Sequence, residues 1–78
     1  MEQKIKQDIC IGANIRVIRK NRGLKQTELV QLLQLEGVAM TREALVKIER
    51  GAQHIQASQL RAIRNALHTT YDELLAER

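Results

Sequence analysis

The stretch 42–50 carries side chains able to recognise an anion by hydrogen bonding. Arg42, Glu43, Lys47 and Arg50 alternate there with Leu45 and Ile48. At about 100° per residue, Arg42, Glu43, Val46, Lys47 and Arg50 share one arc of a helix, and Leu45 and Ile48 share the opposite one. Arg and Lys on such an arc can donate to guanine O6 and N7, and Glu can accept from cytosine N4. The same pattern also fits an ordinary surface helix, with Glu43 and Lys47 as an i,i+4 ion pair.

A second group lies upstream. Arg16, Arg19, Lys20, Arg22 and Lys25 follow one another with no acid between them. The whole chain carries only +4, but residues 1–25 hold +5 while 26–50 hold −1 and 51–78 are neutral. A basic focus of this kind suits a polyanion. It also suits the C-terminal end of a helix, where cations oppose the dipole. Tyr71 is the only aromatic residue. Single-stranded nucleic acid is gripped largely by stacking on aromatic rings, so duplex DNA is the better match among polyanions.

These side chains need a frame. A chain of 78 residues forms one domain with a thin core. Its 22 Leu, Ile and Val residues make that core almost wholly aliphatic. Alternating runs and hairpin turns are lacking, and Leu, Gln, Glu, Arg and Ala favour helix. The spacing predicts five helices, an all-α fold. The first spans 8–21 with Asp8 as N-cap and Ile11, Ile15 and Ile18 as its buried stripe. The second spans 26–36, with Leu24 and Leu29 stapling its start around Lys25, a poor cap. Leu29, Leu32, Leu33 and Leu35 form its apolar face. The third spans 42–50 behind the cap Thr41, the fourth 57–67 with Leu60, Ile63 and Leu67 inward. The fifth spans 71–76 behind a Thr70 capping box. Residues 1–10 are expected to be an N-terminal arm or an extension of the first helix, and 11–76 the domain proper.

Several functions fall away. No apolar run approaches the ~20 residues of a membrane span, and the N-terminus MEQKIKQDIC lacks the apolar core of a signal peptide. The single Cys10 forms no internal disulfide and points to a reducing, cytoplasmic compartment. As a residue type it reads as a small buried hydrophobe. With His54 and His68 it makes no zinc set, so neither metal nor cofactor is expected. Paired carboxylates with a pocket, a Ser/His/Asp set and a phosphate-cradling Gly loop are all missing, so the chain reads as a non-enzyme.

The order GLKQTELVQLLQ at 23–34, TREALVKIERG at 41–51 and YDELL at 71–75 resembles the Cro/phage-repressor (Xre-type) helix-turn-helix family. Leu24, Gln26, Leu29, the run Ile48 to Gly51 and Asp72 to Leu74 carry the likeness over nearly the whole domain. The resemblance implies a compact five-helix, lambda-repressor-like domain that binds double-stranded DNA as a small repressor-like transcriptional regulator. It implies base reading by Arg42, Glu43 and Lys47. It implies backbone contacts from Gln26, Thr41, Arg50, Arg16 and Lys20. Arg19 and Glu49 become a structural ion pair. One such domain covers few base pairs, so a homodimer is expected, its interface drawn from the last two helices, Tyr71 and Leu75 included, or from the N-terminal arm. The connection through QLEGVAM at 34–40 is about five residues longer than the minimal motif, which resembles a branch with an extended second helix. Val30, Ile55, Arg64, His68 and Thr69 depart from the usual residues. The alternative is a protein-interaction module such as an antitoxin or anti-repressor built on the same fold.

Overall fold

The computed structural model describes residues 4–5 and 9–77. The elements are β1 (Lys4–Ile5), α1 (Ile11–Asn21), α2 (Gln26–Leu35), α3 (Arg42–Glu49), β2 (Ile55–Gln56), α4 (Ala57–Leu67) and α5 (Tyr71–Leu74). The fold is all-α in substance. Its strands are two residues each, paired antiparallel with Lys4 opposite Gln56 and Ile5 opposite Ile55. A ladder that short leaves no alternation to read, so the sequence does not announce it.

Helix α1 starts at Ile11, not at 8. The Ile11 N–H bonds the Ile9 carbonyl at 2.8 Å across Cys10, whose φ of −77° and ψ of 61° make an inverse γ-turn. That turn breaks the helix before residue 11. The expected cap, Asp8, lies outside the described residues. Cys10 is exposed at this corner, not the buried hydrophobe its type suggested.

Ile11, Ile15 and Ile18 are buried as one stripe of α1, against α3, α4 and α5. Gly12 lets α1 touch α3: a Cβ there would lie 1.9 Å from the Ile48 carbonyl oxygen. Helix α2 begins behind Lys25, whose N–H is accepted by the Glu28 carboxylate at 2.8 Å. An ammonium group accepts nothing, so only this half of a capping box exists. Leu29, Val30 and Leu33 form the buried face of α2. Leu35 is 84% exposed, because two residues past Leu33 is the far side of the helix. Val30 takes its place in the core.

The long α2–α3 connection closes α2 through a left-handed Gly37 and a Val38 N–H bonded to the Leu33 carbonyl at 3.0 Å. It then drives Met40 into the core, where the side chain is 1% exposed. Thr41 caps α3, its hydroxyl accepting the Ala44 N–H at 3.1 Å, and Leu45 and Ile48 face inward. Arg50 is the C-cap, so α3 ends one residue short of the predicted span.

Helix α4 occupies 57–67 with Leu60, Ile63 and Leu67 buried. His68 closes it in the left-handed region, φ 51°. Thr69 and Arg64, which depart from the resembled pattern, each have a partner at this end. Thr69 is buried and donates to the Glu73 carboxylate at 3.0 Å. The Arg64 guanidinium stacks over the Tyr71 ring, 4.9 Å from its centroid. Helix α5 stops at Leu74 and not at 76. The buried Asn14 amide of α1 takes the carbonyls of both Leu74 and Ala76, each at 2.8 Å, and leads the chain out of helical geometry.

Candidate nucleic-acid interface

Helix α3 is held by its inner face and by a buried ion pair at its end. Arg19 of α1 donates from Nε and Nη2 to the two oxygens of Glu49, at 2.7 and 3.0 Å. Both side chains are almost wholly shielded, at 7% and 2% exposure. The Arg19 Nη1 bonds the Leu24 carbonyl at 2.8 Å, which fixes the α1–α2 turn as well. Gln26 of α2 gives one amide proton to the Glu49 carboxylate at 3.1 Å. Three helices therefore meet on one carboxylate.

The outer face of α3 is open. Arg42, Glu43 and Lys47 are exposed, as is the cap Thr41. No ion pair joins Glu43 to Lys47 among the described residues. Their hydrogen-bonding groups are free for a ligand. An α-helix with its side chains is about 10–12 Å across, which the ~12 Å width of a DNA major groove admits.

At the N-terminal end of α3 lies a basic depression lined by Arg16, Arg19, Lys20, Lys25, Gln26, Thr27 and Arg42. Among the described residues no carboxylate lines it. Arg19 is neutralised by Glu49, and among the described residues no ion pair compensates Arg16, Lys20, Lys25 or Arg42. The first turn of α2 opens into the same place, with backbone N–H groups lacking helical partners. Gln26 is half-buried there, and its second amide proton is left over from the bond to Glu49. Arg50 is not brought to this depression. It borders another, with Cys10, Gly51 and His54, at the opposite end of α3. Cationic positions thus flank the helix at both ends.

Arg22 leaves the basic group. Its Nε donates to the Leu67 carbonyl at 2.9 Å and its Nη2 to the His68 carbonyl at 3.3 Å, capping α4. Lys25 and Thr27 were missed as lining residues. The signal for Lys25 was its place in the basic run directly before a helix start. Asn14 had no signal, since its partners lie about 60 positions away. Among the described residues no His, Cys, Asp and Glu group could hold a metal ion, and no helix is long and apolar enough to cross a membrane.

A short helix with an open polar face, carried on two others and flanked by cations, defines a helix-turn-helix protein. A family model described as a helix-turn-helix domain matches residues 11–77, and the chain belongs to that family. Membership points to DNA as the ligand class. No curated protein and no solved structure gives a significant match.

Proposed function

We propose that this protein binds double-stranded DNA in a sequence-specific manner, as a small cytoplasmic transcriptional regulator of the Cro/phage-repressor branch. The observation that supports it is the unpaired, exposed outer face of α3 with uncompensated cations at each end. Helix α3 enters the major groove with Arg42, Glu43 and Lys47 leading. Lys47 donates to guanine O6 or N7 and Glu43 accepts from cytosine N4. Gln26, Arg16 and Lys20 hold phosphates on one side of the groove, with Thr41 at the helix start, and Arg50 holds the other side. The Arg19–Glu49 pair sets the angle of α3 and touches no base.

We further propose that the protein acts as a homodimer through the α4–α5 surface, where Tyr71 and Leu75 remain 40% and 38% exposed. Two copies would place two α3 helices about 34 Å apart on adjacent turns.

Selection of bound duplexes from a random pool, read together with mass in solution, tests this reading. The expected result is a short motif repeated at one-turn spacing and a log–log salt slope steeper than zero. A pool that stays random, or binding without salt dependence, overturns it and favours a protein-interaction module.

A further inference from the structure

Arg42 occupies a boundary. It is the first residue of α3, at the leading end of the groove face, yet it also lines the basic depression with Arg16, Lys20, Lys25, Gln26 and Thr27. Arg16 and Lys20 come from α1, Lys25 from the α1–α2 turn and Arg42 from α3, so three separate segments direct positive charge at one small volume, and α2 adds the uncharged Gln26 and Thr27. Beside the paired Arg19, four cations share it, and among the described residues no carboxylate lines it; the nearby Glu49 is spent on Arg19 and Gln26. Like charges held well within one screening length of about 10 Å repel one another. An anion seated among them removes that repulsion and gains charge-assisted hydrogen bonds.

We propose that Arg42 is a wall of a phosphate seat and not a base reader, with Lys25 as a second member of that seat that no sequence motif assigns. The inference rests on the duplex-binding reading above and divides its labour differently. Base discrimination narrows to Glu43 and Lys47, one and five positions along the same helix. Arg42 and Lys25 supply affinity to every sequence alike. A guanidinium that closes the seat from the α3 side also ties the groove helix to the strand that Gln26 grips, so it fixes register.

Two measurements on the full chain separate this inference from the reading beneath it. The first compares wild type, Arg42→Ala, Lys25→Ala and Lys47→Ala on the selected duplex and on a random duplex across a salt series. Arg42→Ala and Lys25→Ala are each expected to weaken both duplexes by roughly tenfold. Each should lower the salt slope by about 0.9 and leave the ratio between duplexes unchanged. Lys47→Ala should shrink that ratio. The second titrates inorganic pyrophosphate and follows the Gln26 and Thr27 amides and the Arg42 Nε by NMR. All three are expected to move together, and Arg42→Ala to weaken pyrophosphate by a similar factor. An altered base preference in Arg42→Ala with an unchanged salt slope overturns the inference. So does pyrophosphate that moves Gln26 and Thr27 but leaves Arg42 still, or that binds nowhere. Pyrophosphate seated by Arg42 in a protein that binds no duplex upholds the phosphate seat and overturns the duplex reading alone.

Discussion

The Glu49 carboxylate takes hydrogen bonds from Arg19 Nε, Arg19 Nη2 and Gln26 Nε2, and so joins α1, α2 and α3 at one point. A buried pair of this kind is strongly felt when one partner goes, because the other is left as an unpaired charge away from water. Arg19→Ala and Glu49→Ala should each destabilise the domain by about 3–5 kcal/mol, read as a lower urea midpoint with an unchanged slope. A loss under about 1 kcal/mol, the range of an exposed pair, would show that the site is wet. At this scale, side-chain type was legible in the residues themselves, while partnership was not: the Arg19–Glu49 pair came only as what the family resemblance implies, and the partner of Arg22 came from nothing local. Arg19 and Arg22 look alike in the basic run, yet one is bound to a carboxylate and the other to the end of α4. Their partners lie 30 to 46 positions away, beyond any local spacing rule.

Among the elements, α3 depends on how closely α1 approaches it. Gly12 permits that approach, and a methyl group there would collide with the Ile48 carbonyl. Gly12→Ala should destabilise by at least ~1–3 kcal/mol, seen in thermal denaturation. It should also weaken duplex binding, because the backbone that must shift carries the groove face. Retained stability with retained binding would mean that the two helices separate at no cost. His68 offers the opposite case. Its left-handed φ suits glycine, and its only contact from Arg22 is through the carbonyl. His68→Gly should therefore hold or raise stability by up to about 1 kcal/mol in a urea titration, and a marked loss would reveal work done by the imidazole. Helical periodicity made the buried stripes of α1 and α4 readable. The ends were less so. The inverse γ-turn at Cys10 and the capture of the last carbonyls by Asn14 are tertiary or single-residue events without periodicity.

For the whole molecule, the exposed pair on the last turn is what the dimer proposal rests on. Leu75→Ser removes apolar surface without opening the core, since Leu74 alone of the two is buried. The expected outcome is a retained fold that loses about 1–2 kcal/mol at most, because Leu75 is itself partly buried, a solution mass nearer 8.9 kDa, and weaker binding to a two-half-site duplex than that of wild type. An unaltered dimer would move the interface elsewhere.

The amino-acid order alone determined an aliphatic five-helix domain, the inward stripes of α1 and α4, and an outward face bearing Arg42, Glu43 and Lys47. Those follow from local rules: helical period, caps, and the exclusion of apolar residues from water. Apart from Arg19, whose pairing the family resemblance already implied, which cations remain free was decided only in three dimensions. Charge is neutralised by proximity, and proximity between α1, α2 and α3 arises from packing. That packing withdrew Arg19 and Arg22, left Arg16, Lys20, Lys25 and Arg42 around one depression, and turned Leu35 out to solvent while Met40 filled the core.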